Sequence, residues 1–169
     1  QSPGLGAMPA ALNVVILAAG EGTRLPGTHP KVLMPLWGRA AVRYPVEAAL
    51  RHGSERVVVV AGRHEEAIAA ALAGLDRVVM ARQDEPRGTG DAVLAARAAL
   101  EGVEGPVLIL NGDGPLVTPE LLDSLIQAHA GSGAAVTVVS TELADPGSYG
   151  RILRDADGEL LAIREAKDA

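Results

Sequence analysis

Arg24 and Lys31 stand in one loop, LAAGEGTRLPGTHPKVL, which runs from Leu17 to Leu33 directly after the apolar run Val14-Val15-Ile16-Leu17. Ala18, Ala19, Gly20 and Gly22 are small enough to let the backbone approach a ligand and aim its N–H groups at it. Such amides favour phosphate oxygens. Arg24 adds a planar fork of donors and Lys31 a compact positive charge. Lysine is the unusual choice here, because the chain carries 13 arginines and only 2 lysines. These residues suit the holding of a polyphosphate. A plain glycine-rich turn with solvated basic side chains would use the same residue types, so the position of the loop in the fold has to decide. The pattern GxxxxGK[ST] is absent. Gly20-Glu21-Gly22 supplies GxG without a third glycine, so the loop is neither a P-loop nor a dinucleotide fingerprint.

Three further groups of residues have chemical potential. Gln83 closes an apolar segment, and its amide offers a donor and an acceptor together, which complements the N3–H and O4 edge of uracil. A solvated polar group at a strand end is the plain reading of the same residue. Gly88-Thr89-Gly90 is a second small-residue turn that would hold a base or phosphate through its amides, or simply open a helix. Asp113, in Asn111-Gly112-Asp113-Gly114, follows the apolar run VLIL. A carboxylate there suits Mg²⁺ shared with phosphate oxygens and water, and equally suits a turn aspartate bonded to its own backbone. His29, His52, His64 and His129 show no metal-ligand spacing, and His52 and His129 read as surface groups near helix ends.

The elements that must position these groups alternate. Asn13–Ala18 reads as a buried strand, and Arg39–Arg51 as a helix ended by His52-Gly53. Arg56–Ala61 reads as a second strand, Glu65–Leu75 as a helix and Arg77–Ala81 as a third strand. Gly90–Leu100 reads as a helix and Val107–Leu110 as a fourth strand. A helix capped by Thr118-Pro119 runs to about Ala130, and Ala134–Ser140 reads as a fifth strand. Arg151–Arg154 and Glu159–Arg164 read as a β-hairpin. Strand–helix–strand alternation implies a mostly parallel sheet with right-handed crossovers, a three-layer, doubly wound, Rossmann-like α/β fold. In such sheets ligands bind beyond the carboxyl ends of the strands, where the loop after the first strand stands. Trp37 reads as a core residue.

Length and composition set the frame. A chain of 169 residues, 48% apolar, suits one globular domain. A net charge of −6 argues against non-specific nucleic-acid binding, which needs a basic face. With no cysteine there is no disulfide and no thiolate metal site. No apolar run approaches the ~20 residues needed to span a bilayer, and the start does not read as a secretory signal. A cytoplasmic protein with small-molecule substrates, and neither nucleic acid nor membrane as partner, is the expectation. Residues 1–11 read as a tail, with Met8 as the native start after a tag remnant, and residues 12–169 as the domain.

LAAGxGTR followed by PKVL resembles the pyrophosphorylase loop of the sugar-nucleotide transferases, which have a nucleotide-diphospho-sugar transferase fold. The likeness extends through Gln83 with Gly88-Thr89-Gly90, Asn111-Gly112-Asp113 with Pro115-Leu116, Asp145-Pro146, Tyr149-Gly150-Arg151-Ile152, and Glu165-x-Lys167-Asp168-Ala169. In this order the motifs resemble the uridylyltransferase domain of the bacterial bifunctional enzymes that make UDP-N-acetylglucosamine, a cell-wall precursor. The resemblance implies transfer of a uridylyl group from UTP to N-acetylglucosamine 1-phosphate, with Mg²⁺ on Asp113. It implies Arg24 and Lys31 as catalytic cations. It implies Leu17, Ala18, Ala19, Gly20, Lys31, Gln83, Gly88, Thr89, Asn111 and Gly112 around the nucleotide, and Gly150 and Glu165 at the sugar. In the family the domain continues past ExKDA with a second metal ligand, and a β-helix for acetyl transfer follows. No hexapeptide repeat occurs in this chain, so acetyl transfer is not carried over, and a homo-oligomer is expected only with that C-terminal region present. Two alternatives stand beside this reading: another nucleotidyltransferase, such as a molybdenum-cofactor guanylyltransferase, and a nucleotide-binding module without turnover. The DPxxYGRI and ExKDA segments speak against the first.

Overall fold

The structure is a computed structural model that describes residues 12–20 and 30–164. β1 (Asn13–Leu17) and β4 (Arg56–Ala61) are the central strands, and their apolar runs are almost wholly buried. Between them lie a single 3₁₀ turn, Lys31–Leu33, a short hairpin of β2 (Pro35–Leu36) and β3 (Arg39–Ala40), and helix α1 (Arg43–His52). Helix α2 (Glu65–Ala71) leads to β5 (Val78–Arg82). Helix α3 (Thr89–Ala95) and a 3₁₀ turn, Ala98–Leu100, lead to β6 (Val107–Asn111). Helix α4 (Pro119–Ser132), then β7 (Arg151–Arg154) and β8 (Leu160–Arg164), complete the chain.

The strands β5, β4, β1 and β6 form one sheet in that order, all parallel. Alternate residues of each central strand face opposite sides, as the period of two requires. Val14, Ile16, Val57 and Val59 meet Val42, Val46 and Ala49 around α1, Ile68 and Leu72 around α2, and Leu122 of α4. Val15, Val58 and Val60 meet Ala92 and Ala96 of α3 and its extension. Helices thus cover both faces, which is the three-layer α/β arrangement expected. The edge strands are less covered: Val79 of β5 and Val107 and Ile109 of β6 are exposed, and no strand lies beyond either among the described residues.

The chain divides into two compact units, up to Ile126 and from Gln127. In the second, β7 and β8 pair antiparallel as the expected hairpin. Its turn is fixed by Asp155, whose Oδ1 accepts from the N–H groups of Asp157 and Glu159. Ala134–Ser140, expected as a fifth strand, has no strand structure. Its alternating valines have the right propensity, but a strand exists through its ladder, and the segment has no ladder partner among the described residues.

Three other expectations need correction. The helix expected from Arg39 begins at Arg43, because Arg39 and Ala40 pair back onto Leu36 and Pro35. The turn between them places Trp37 at φ 46° and Gly38 at φ 78°, both positive as the tight hairpin turn requires. Trp37 is therefore not core: it sits at the tip and is 98% exposed. Behind the tip, the Tyr44 hydroxyl donates to the Leu36 carbonyl and the Arg39 guanidinium lies 4.6 Å from the Tyr44 ring centroid. His52 is not a plain surface group either. Its Nε2 lies 2.8 Å from Asp123 Oδ1 and its side chain is only 16% exposed, tying the end of α1 to α4.

Candidate active site

The carboxyl ends of the parallel strands are held level by backbone bonds that continue each ladder one residue further. Ala18 donates to Val60, Gln83 to Ala61 and Gly112 to Leu17, at 2.8 to 2.9 Å. Three loops leave this rim: the one after β1, the one from Gln83 to Gly88 after β5, and Asn111–Gly114 after β6. Their described residues, Ala19 and Gly20 for the loop after β1, line an open cavity of about 430 Å³ together with the 3₁₀ turn that carries Lys31. Its wall contains Leu17, Ala19, Gly20, Lys31, Gln83, Gly88, Thr89, Asn111 and Asp113, all expected from the sequence. Val32, Pro86 and Ala92 also line it and were not expected; apolar wall residues carry no chemical signal in a sequence.

Two expected contacts do not line the cavity. Ala18 is buried with its N–H spent on Val60, and Gly112 is buried with its N–H spent on Leu17. A Cβ on Gly112 would stand 2.9 Å from the Leu17 carbonyl oxygen and 3.2 Å from Val32. Gly112 therefore shapes the rim rather than offering its amide to a ligand. Arg24 and Glu165 lie outside the described residues. Gly150 belongs to the second unit, immediately before β7, where a Cβ would lie 3.3 Å from the Arg164 carbonyl oxygen.

Among the described residues, Lys31 is the cation that lines the cavity. Arg82, at the end of β5, is engaged by Asp84 and Glu65. Hydrogen bonding to Asp84, then to Glu65, raises its pKa above the ordinary arginine value. Arg87 is paired with Glu85. Lys31 lines the cavity and has no ion-pair partner among the described residues. Asp113 is the exposed carboxylate of the wall. Mg²⁺ commonly takes one or two carboxylates plus substrate phosphates and water, so this single carboxylate fits a metal shared with a phosphate. Among the described residues no three acidic, histidine or cysteine side chains gather into a closed metal cage.

Gln83 is 7% exposed, and its amide is held from behind. Nε2 donates to Asp91 Oδ2 at 2.8 Å and to the Gly88 carbonyl at 3.2 Å. Both of its N–H groups are thus used inside the protein. This corrects the expectation that the amide would offer a donor and an acceptor to a base, because only the acceptor is left.

A parallel sheet that gathers a cation, small-residue turns and a carboxylate beyond its strand ends defines an α/β domain of the nucleotide-handling type. The chain belongs to the family of MobA-like NTP transferase domains, whose model matches residues 14–167. It is 49% identical to the bifunctional protein GlmU of Geobacter metallireducens over 158 residues, which is 94% of this chain and 33% of that protein. The chain therefore spans about a third of the length of the curated relatives it matches. Among solved structures, HddC from Yersinia pseudotuberculosis, complexed with GMP-PN, superposes with a TM-score of 0.72 at 25% identity, over 90% of this chain and 68% of that one. Rv0371c from Mycobacterium tuberculosis, in complex with manganese, has the same fold, with a TM-score of 0.59 at 23% identity over 72% of this chain and 61% of that one. Among the described residues no helix is long and apolar enough to cross a membrane.

Proposed function

We propose that this nucleotidyltransferase domain joins UTP to N-acetylglucosamine 1-phosphate, giving UDP-N-acetylglucosamine and pyrophosphate. The observation that carries the reading is the convergence of Lys31, Gln83, Gly88, Thr89 and Asp113 on one cavity at the strand ends. The likeness to GlmU over nearly the whole chain supports the sugar nucleotide.

The sugar phosphate oxygen attacks the α-phosphorus of UTP in line. The bond from that phosphorus to the bridging oxygen of the β-phosphate breaks, and pyrophosphate leaves with the electron pair. The nucleophile is already anionic near neutral pH, so no side chain has to take a proton, and catalysis reduces to positioning and charge neutralisation. Lys31 neutralises the triphosphate and the charge that grows on the leaving pyrophosphate. Ala19 and Gly20 let the backbone lie against the phosphates, and Arg24 is the second cation of the loop. Asp113 would hold Mg²⁺, which when bound supplies further neutralisation of phosphate oxygens. Gly150 and Glu165 are the proposed sugar contacts, on their motif resemblance. A cell-wall precursor made in the cytoplasm is the physiological reading.

The test is pyrophosphate release with Mg²⁺, pairing UTP, dTTP, GTP or CTP with N-acetylglucosamine 1-phosphate or glucose 1-phosphate. Release is expected with UTP and the N-acetylated sugar. Lys31→Ala should lower it about 100-fold or more, the scale on which charge-stabilising groups act, with an unchanged circular dichroism spectrum. Release with GTP alone would move the chain to the guanylyl branch. No release together with no thermal stabilisation by UTP would overturn the reading.

A further inference from the structure

We infer that Asp91 is a specificity-positioning residue: by holding the Gln83 amide in one orientation it makes the site reject cytosine in favour of uracil. The inference rests on the uridylyl reading above and goes beyond it to the residue that sets the base preference.

A glutamine amide can turn over, exchanging its oxygen and its NH₂ at little intrinsic cost, so by itself Gln83 would serve either a donor or an acceptor on the base. Here the turn is blocked. The Asp91 carboxylate and the Gly88 carbonyl can only accept, and both lie within bonding distance of Nε2, at 2.8 and 3.2 Å. Turning the amide would set Oε1 against two oxygens. The bond to a carboxylate is the stronger of the two, being charge-assisted. Gln83 is almost fully buried, so an inverted amide would not be rescued by water.

The backbone holds the same arrangement. The Gln83 N–H is fixed to Ala61 at 2.8 Å. Gly88 has φ 110°, a conformation suited to glycine, and this aims its carbonyl at both Gln83 and the Ala92 N–H in the first turn of α3. Asp91 is in that same turn. What Gln83 has left for a ligand in the cavity is Oε1, which receives nothing from the described residues.

A lone acceptor reads one atom of a pyrimidine. Uracil carries a hydrogen at N3 and donates. Cytosine carries a lone pair at N3, so two acceptors would face each other. A site built around a polar partner rejects the ligand that leaves it unpaired far better than an apolar pocket rejects a size difference. Asp91 touches no part of the base in this scheme and acts only through Gln83.

The experiment titrates the 169-residue chain with UTP and with CTP, both with Mg²⁺, for wild type, Asp91→Ala and Asp91→Asn. The wild type should prefer UTP by about tenfold or more, the scale of a buried unpaired polar group. Asp91→Ala should lose most of that ratio, mainly by gaining CTP binding. Asp91→Asn can present either its oxygen or its NH₂ to Gln83, so its ratio should fall between those of wild type and Asp91→Ala. Equal loss of both nucleotides in Asp91→Ala, or an unchanged ratio, would overturn the inference while leaving the uridylyl reading intact. A wild type that binds neither nucleotide would overturn that reading instead. The lock is then still read by NMR, where the Gln83 side-chain NH₂ signals should be protected from exchange in wild type and not in Asp91→Ala, and equal protection in both would sink the inference.

Discussion

At the scale of single residues, the least conspicuous position does as much as the charged ones. Gly112 carries no side chain, yet β1, β6 and the 3₁₀ turn that bears Lys31 meet at it. A methyl group there would be 2.9 Å from the Leu17 carbonyl oxygen, 3.2 Å from Val32 and 3.3 Å from the Ala18 methyl. Two of those three neighbours are backbone or close-packed with it, so the contact is relieved only by moving a strand end. Gly112→Ala should destabilise the fold by about 1–3 kcal/mol, the usual cost of overpacking, measured by urea unfolding. It should also weaken UTP binding, because Leu17 and Val32 line the cavity. Unchanged values of both would mean that the strand ends have more room than the geometry allows.

At the scale of elements, what was legible followed how local the determining force is. β1 and β4 were readable because unbroken runs of Val, Ile and Leu suit strands buried on both faces. The end of α1 was readable because Gly53 adopts the left-handed conformation, φ 101°, that stops a helix. The start of α4 was readable for a similar reason: the Thr118 hydroxyl accepts from the Leu121 N–H at 3.3 Å. Glu120, beside it, has its pKa lowered by its own backbone N–H first and by Thr118 second. Thr118→Ala should cost about 1 kcal/mol of stability, as loss of an N-cap does, again by urea unfolding. A change too small to measure would mean that α4 starts unaided. The β2–β3 hairpin was not legible, because Tyr44 holds it from the following helix, a contact that periodicity does not encode. In the candidate site, Lys31, Gln83 and Asp113 stood out by type and position. Asp91 did not, since an aspartate in the first turn of a helix is ordinary, and only the fold brings it to Gln83.

At the scale of the whole molecule, the four-stranded parallel sheet is the platform, and its two central strands contribute to both clusters of the core. The site uses only the carboxyl end of that platform. Every expected residue that lines the cavity lies in the first compact unit, which ends at Ile126. The chain also contains a single tryptophan, and the hairpin holds it in water in the folded state. Its indole already has the surroundings it would have in an unfolded chain. Tryptophan emission should therefore hardly shift as the protein unfolds in urea, while far-ultraviolet circular dichroism records the full transition. A large blue-to-red shift at the same midpoint would mean that Trp37 is covered in solution. The usual optical reporter of folding is silent in this protein, and the same silence makes it a clean reporter of anything that comes to rest on the hairpin tip.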